Sequence, residues 1–104
     1  MKGQPPAYKT VMMKPYDTVA VALEHLQAGT RLQVQCQGQY FDIELLDSIE
    51  FGHKFAVRDV ACGQDILKYG EVIGSANRDI RKGEHVHVHN LDGKRGRGDQ
   101  VAGQ

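Results

Sequence analysis

Hydrophobic and polar residues alternate with a period of two along much of this chain. Val19, Val21 and Leu23 alternate with small residues, and the segment 31–37 alternates apolar side chains with arginine and glutamine. Such alternation predicts half-buried β-strands. Residues 17–26 also fit the i, i+4, i+7 spacing of a helix, but their β-branched threonine and valines favour a strand.

Glycine recurs at a fixed place between apolar residues. Two residues separate the glycine from an apolar residue on each side, and the pattern occurs at Leu26-Gly29-Leu32, Ile49-Gly52-Phe55, Val60-Gly63-Ile66 and Ile80-Gly83-Val86. In the last two copies an Arg-Asp pair precedes the first apolar residue. A glycine at such a place predicts a turn with positive φ that leads into a new strand. A hairpin turn is also predicted at Gly38-Gln39, before a strand that starts at Tyr40.

These patterns predict one all-β domain of short strands and tight glycine turns, with little helix. The length of 104 residues suits a single domain with one modest core. We place the domain at residues 10–91, after a polar, proline-containing extension at 1–9. The segment 92–104 is basic and glycine-rich and has almost no apolar side chain, which predicts a flexible tail.

The charge and hydropathy of the chain argue against two classes of partner. Thirteen basic residues balance 13 acidic ones, so we expect no electrostatic binding of nucleic acid or of an anionic membrane. No apolar run approaches the ~20 residues of a membrane helix, and the first residues lack the apolar core of a signal peptide. We therefore expect a cytoplasmic protein. In that compartment Cys36 and Cys62 are expected to be free, partly buried thiols.

The segment 83–90 contains three of the five histidines, at every second position. As a strand it would present His85, His87 and His89 on one face, with neighbours about 6.5–7 Å apart, and its two valines to the core. Neighbouring imidazoles at that distance can share a metal ion, so His87 and His89 are candidate metal ligands. The spacing identifies no third or fourth ligand. The alternative is a solvated strand face with polar residues and no ligand.

Two other segments place cationic groups beside turn glycines. His53 and Lys54 follow Gly52, and together they suit a carboxylate clamp because lysine supplies a charge and histidine a directed donor. Lys68 and Tyr69 precede another glycine and are candidates to line a cleft. The alternatives are an ordinary surface turn and ordinary aromatic packing. The sequence contains no nucleophile elbow, paired-carboxylate cluster or complete metal shell, which favours the partner of an enzyme over an independent enzyme.

Four ordered motifs resemble the SAF-type domain of altronate and galactarate dehydratases. They are the segment 17–23, Phe51-Gly52-His53-Lys54, the segment 66–74 and the segment 83–91, and the resemblance covers residues 12–99. It implies a β-clip fold of short, mostly antiparallel strands. In this family the domain is either fused to a large catalytic domain or made as a separate small subunit, and the present chain resembles the separate form.

The resemblance also implies chemistry. It implies loss of water from a sugar acid by β-elimination next to the carboxylate, assisted by a divalent metal, iron or manganese, held mainly by a large catalytic subunit. A related pair of subunits removes sulfite from sulfolactate. The residues that the resemblance places at the face meeting the substrate or the large subunit are His53, Lys54, Lys68, Tyr69, His87, His89 and Asn90.

Two alternatives belong to other functional classes. A stand-alone sugar-acid-binding module would bind its ligand without a partner. A metal-binding module would use the three histidines of the segment 83–90 and hold metal in the isolated chain. Self-association of the isolated chain is compatible with every one of these readings.

Overall fold

The computed structural model describes residues 8–93, and all regular structure in that range is β-sheet. Nine short strands follow one another: β1 (Thr10–Val11), β2 (Val19–Ala22), β3 (Arg31–Cys36), β4 (Gln39–Glu44), β5 (Lys54–Ala56), β6 (Asp65–Lys68), β7 (Glu71–Ala76), β8 (His85–Val86) and β9 (Leu91–Gly93). The predicted all-β class is confirmed. Among the described residues no helix is long and apolar enough to cross a membrane.

A four-stranded antiparallel sheet, in the order β1-β2-β5-β8, separates two hydrophobic cores. Ala20 and Phe55 are partners across β2 and β5 and belong to the first core, which the β3–β4 hairpin completes. Val19 and Ala56 are also partners and belong to the second core, completed from β6 and β7. Because successive side chains of a strand point to opposite faces, this sheet is the layer that both cores share.

The position of β2 between two cores changes the expected burial of that strand. All four of its residues, Val-Ala-Val-Ala, are buried, so the prediction of a half-buried strand is wrong there. The alanines pack as fully as the valines because each face of the strand has a core against it. Leu23, expected to continue the apolar face, follows the end of β2 and is 40% exposed. The preference for a strand over a helix in this segment is confirmed.

Two hairpins are closed by two-residue turns with positive φ at both positions. In the β3–β4 hairpin these are Gln37 and Gly38, at φ 49° and 82°. This is the type I′ arrangement that matches the twist of the flanking strands, and it lies one residue before the predicted Gly38-Gln39. The β6–β7 hairpin is closed in the same way by Tyr69 and Gly70, at φ 54° and 82°. β9 then pairs with β7 to complete a three-stranded sheet.

All four predicted glycine turns are present, and they form an internal repeat. At each turn the residue after the glycine donates its N–H to the carbonyl oxygen two residues before the glycine, and the glycine φ lies between 84° and 96°. Leu26 and Ile49 join the first two turns by an antiparallel bridge, and Val60 and Ile80 join the last two. Each joined pair encloses one hairpin, and its second turn leads into β5 or β8 of the central sheet.

The aspartate of each repeated Arg-Asp pair has a structural role in this arrangement. The Asp59 carboxylate accepts the N–H of Lys82 at 2.8 Å, and the Asp79 carboxylate accepts the N–H of Cys62 at 2.8 Å. Asp59 thus caps the turn at Gly83, and Asp79 caps the turn at Gly63. These are the two turns that the bridge between Val60 and Ile80 joins. Both thiols are free, as predicted, and Cys36 is buried. The predicted partial burial is wrong for Cys62, which is exposed because it sits at a turn.

In the described residues, structure extends slightly beyond the predicted domain bounds of 10–91. β9 continues to Gly93. At the other end the carbonyl oxygen of Lys9 accepts the N–H of Leu23 at 2.9 Å. The rest of the predicted extension and tail, 1–7 and 94–104, lies outside the described residues.

Candidate functional site

The structure places the predicted site residues in two groups rather than one. Side chains alternate along an extended chain, so the neighbours His53 and Lys54 project to opposite sides of the central sheet. The His53 ring contacts the rings of His85 and His87. The pKa of Lys54 is instead lowered by burial and, to a smaller extent, by the charge of Lys68. The structure therefore does not form the carboxylate clamp expected from His53 and Lys54 together.

The first group, which we call the histidine cluster, consists of His53, His85 and His87. Nδ1 of His53 lies 2.9 Å from Nε2 of His85. The ring centroids are 5.0 Å apart for His53 and His85, 5.3 Å for His53 and His87, and 5.5 Å for His85 and His87. One ring nitrogen from each residue falls within 4.8 Å of the other two. The His89 ring is 5.6 Å from that of His85, but His89 is not part of this group of ligand atoms.

Antiparallel pairing of β5 with β8 brings these histidines together, and a turn after β8 sets the position of His87. The backbone N–H of His87 donates to Oδ1 of Asn90 at 3.0 Å, and Nδ2 of Asn90 donates to the carbonyl oxygen of His85 at 2.9 Å. The strand therefore ends at Val86, because asparagine side chains satisfy backbone groups in turns and so compete with the sheet ladder. The predicted strand through residue 89 is wrong, and Val88, expected in the core, is 76% exposed.

Asn90 positions the histidine turn instead of facing a ligand. Its side chain is 1% exposed, and both ends of its amide bond to backbone atoms. The predicted contact of Asn90 with substrate is not supported by this position. Asn90 instead holds the backbone that carries His85 and His87.

Burial and neighbouring histidines both affect the pKa of His85 in the histidine cluster. Burial lowers the pKa of the His85 imidazole, and the adjacent His53, His87 and His89 act in the same direction. Asp47 opposes the shift, and its carboxylate accepts the backbone N–H of His85 at 3.0 Å. The net lowering of the pKa keeps His85 in the neutral form that can donate a lone pair to a metal ion.

The second group, which we call the lysine group, consists of Lys54, Lys68 and Tyr69. Burial lowers the pKa of the Lys54 ammonium, and the charge of Lys68 lowers it further. Nζ of Lys68 lies 5.2 Å from the centroid of the Tyr69 ring. Among residues 8–93 neither ammonium has a carboxylate within ion-pair distance. Two adjacent cations, one of them half-buried, are an arrangement that an anion would stabilise.

Asp17 organises the turn of the lysine group, a role not predicted from the sequence. Its side chain is fully buried, at 0% exposure. The carboxylate accepts backbone N–H groups from Met13, Lys14, Tyr69 and Gly70, at 3.2, 3.0, 3.1 and 2.8 Å. The last two belong to the type I′ turn that follows Lys68. A signal was present, because an aspartate directly before an apolar strand often satisfies nearby backbone donors.

The histidine cluster is the part of the chain whose donor atoms fit the implied metal. Imidazole suits zinc, copper, iron and nickel, whereas manganese prefers carboxylate and carbonyl oxygen. Of the two metals that the resemblance implies, iron is therefore the better match. Of the two predicted metal ligands, His87 belongs to the group that could hold such an ion and His89 does not. The other members of the group are His53 and His85.

The candidate residues line neither of two cavities in the described part of the chain. A cavity of about 560 Å³ lies against the β3–β4 hairpin and is bounded by residues such as Arg31, Asp42 and Lys82. A second, of about 430 Å³, lies beside the turns that contain Asp59 and Asp79. The histidine cluster and the lysine group contribute to neither.

Comparison with known proteins finds relatives that are lyases. Residues 8–94 match the family model described as the altronate/galactarate dehydratase SAF domain. The chain is 43% identical over 77 residues to (2R)-sulfolactate sulfo-lyase subunit alpha of Chromohalobacter salexigens, a match that covers 72% of this chain and 82% of that protein. It is 46% and 43% identical over 74 residues to the altronate dehydratases of Escherichia coli and Bacillus subtilis. Those matches span 71% of this chain but 14% of each dehydratase.

Proposed function

Because the chain belongs to the altronate/galactarate dehydratase SAF-domain family, we propose that it is the small subunit of a lyase that removes water from a sugar acid. Its partner in this proposal is a large catalytic subunit. The much greater length of the dehydratases that it matches supports this division, since the similar region is 14% of each. The relative named subunit alpha supports the same arrangement, because the similar region is 82% of that protein.

The observation that carries the proposal is the lysine group. A sugar acid presents a carboxylate, and Lys54 and Lys68 are neighbouring cations without a carboxylate partner in the described part of the chain. Binding an anion there would relieve their mutual repulsion and the cost of half-burying Lys54. Tyr69, at the turn beside Lys68, adds a hydroxyl that can bond to a substrate oxygen.

The mechanism assigns binding and charge compensation to this chain. Ammonium groups held against the substrate carboxylate lower the energy of the negative charge that builds up when the adjacent C–H loses its proton. The lysine group also fixes the orientation of the substrate towards the partner's catalytic groups. A divalent metal, held mainly by the large subunit, would assist departure of the hydroxyl as a Lewis acid. Asp17 holds the turn after Lys68 so that these contacts are made by a rigid segment.

A second candidate is the small subunit of a sulfolactate sulfo-lyase. The observation that favours it is the coverage of two relatives with the name (2R)-sulfolactate sulfo-lyase subunit alpha, 82% for the one from Chromohalobacter salexigens and 70% for the one from Paracoccus pantotrophus. Its substrate also carries a carboxylate beside a leaving group, so the lysine group would act in the same way. The leaving group, sulfite in place of water, is what separates the two candidates.

Lysine substitutions in the assembled enzyme test the proposed role. Lys54→Met and Lys68→Met keep the apolar stem of each side chain and remove its charge. Loss of one ammonium–carboxylate contact costs about 1.5–3 kcal/mol, so each variant should lower kcat/KM by about tenfold or more, without loss of complex on size-exclusion chromatography. Lys9→Met removes an exposed lysine outside both groups and should leave kcat/KM unchanged. Unchanged kcat/KM in both test variants would contradict the role assigned to the lysine group.

A further inference from the structure

We propose that the histidine cluster is a transition-metal site that this chain forms on its own, with His53, His85 and His87 as ligands. The site would take a divalent first-row metal of the zinc, iron or nickel kind. It differs from the metal of the proposed elimination, which was assigned mainly to the large subunit. The proposal rests on the juxtaposition of the three rings and does not depend on the substrate.

The nitrogen positions are close to those of a metal shell. Two imidazole nitrogens at about 2.0–2.1 Å from one tetrahedral ion are about 3.4 Å apart. Nδ1 of His53 and Nε2 of His85 are already 2.9 Å apart, and the His87 nitrogen lies within 4.8 Å of both. His87 is exposed, so its ring is the least confined of the three. His85 lies in β8, His87 follows that strand, and His53 lies in the glycine turn before β5, so the i, i+2 spacing of His85 and His87 does not by itself account for the arrangement.

The backbone beneath each ligand is already ordered. The N–H of His53 closes its glycine turn by donating to the carbonyl oxygen of Glu50 at 2.9 Å. The N–H of His85 donates to the Asp47 carboxylate, and that of His87 to Asn90. Ligands whose backbone positions are fixed lose little entropy on binding, so preorganisation favours affinity. This distinguishes the histidine cluster from a set of histidines scattered on a mobile loop.

The composition of the cluster indicates which metals it would bind. All three donors are imidazoles, and imidazole suits zinc, copper, iron and nickel better than magnesium, calcium or manganese. Three protein ligands leave a coordination position for water, a substrate oxygen or a side chain of the partner. The half-exposed setting, with His87 exposed, makes that position reachable from outside the chain.

Metal titration of the isolated full chain tests the proposal. The chain is prepared without a polyhistidine tag and stripped with EDTA, and Zn²⁺ binding is then measured by calorimetry and by elemental analysis after gel filtration. Co²⁺ is titrated in parallel, because its visible absorption reports tetrahedral nitrogen ligation. We expect one equivalent of metal per chain. Absence of saturable one-to-one binding would overturn the proposal.

Single substitutions identify the ligands. His53→Ala and His87→Ala should each raise the Kd for Zn²⁺ by at least about tenfold, since even loss of an outer-shell partner costs that much at metal sites. His25→Ala is the matched control, because His25 is an exposed histidine that pairs with Glu50 outside the cluster. Far-UV circular dichroism confirms that each variant is folded. Binding that survives His53→Ala and His87→Ala, or that is lost equally in His25→Ala, would overturn the assignment.

The outcome is separable from that of the proposed function. Metal binding is measured on this chain alone, without partner, substrate or turnover. The lysine substitutions are measured on turnover by the complex. A chain that binds no metal but supports turnover contradicts only the metal site, and a chain that binds metal but joins no lyase contradicts only the subunit role.

Discussion

Alanine at Gly83 should destabilise the protein more than alanine at the equivalent Gly29. Both glycines occupy the same place in the repeated turn, at φ 96° and 89°, so both substitutions carry the cost of a left-handed alanine, about 1–2 kcal/mol. At Gly29 an added Cβ meets nothing within 4 Å, whereas at Gly83 it overlaps the carbonyl oxygen of Glu44. That oxygen is backbone and cannot swing away. The overlap should add about 1–3 kcal/mol, as other overpacking substitutions do.

The comparison of the two variants isolates the overlap from the cost of the backbone angle. Gly83→Ala should lose about 2–5 kcal/mol in all, the sum of the two terms, which is a large part of the 5–15 kcal/mol typical of native proteins. With a urea m-value of about 1–3 kcal/mol/M, its unfolding midpoint should fall about 1 M below that of Gly29→Ala. The assay is urea unfolding followed by circular dichroism. Equal midpoints for the two variants would refute the reasoning.

Three further predictions follow from buried and exposed groups. Asp17→Ala should lower the free energy of unfolding by about 3–5 kcal/mol, because four backbone N–H groups lose a charged acceptor; a loss below about 1 kcal/mol in chemical denaturation would contradict this. Iodoacetamide should alkylate Cys62 in the native protein and Cys36 only after unfolding, since burial protects Cys36 and raises the pKa of its thiol; mass spectrometry showing equal native modification would contradict it. Lys54→Met should keep or raise Tm, because the half-buried ammonium has no ion-pair partner to lose among residues 8–93; a Tm lowered by several degrees would count against that.

Glycine patterning made much of the fold predictable. A glycine between apolar residues at fixed spacing has few structural meanings, because positive φ is easily adopted only by glycine. All four turns followed from this rule, and the turn of the β3–β4 hairpin was predicted one residue late. The pairing of the turns did not follow, since Leu26 and Ile49 or Val60 and Ile80 are joined by long-range bridges that no local pattern encodes. The same long-range packing explains why Ala20 and Ala22, expected to face outward, are buried.

The sequence indicated which segments carry the candidate site residues, but not which of their side chains come into contact. Alternation along 83–90 indicated that histidines share a face, yet the side-chain amide of Asn90 ends the strand after Val86 and turns the chain. The contact between His53 and His85 depends on β5 pairing with β8, which the local spacing of His85, His87 and His89 does not encode. The expected pairing of His53 with Lys54 does not form, because adjacent residues of an extended chain face opposite ways.

The central claim is that this chain works as the small subunit of a lyase, and co-expression tests it most directly. The chain is produced together with a large altronate-dehydratase-like protein from the same source, and the purified complex is assayed on a panel of sugar acids and on sulfolactate. We predict that the two chains co-purify and that elimination requires both. If they do not associate, and the large protein turns over every substrate at the same rate without this chain, the claim is contradicted.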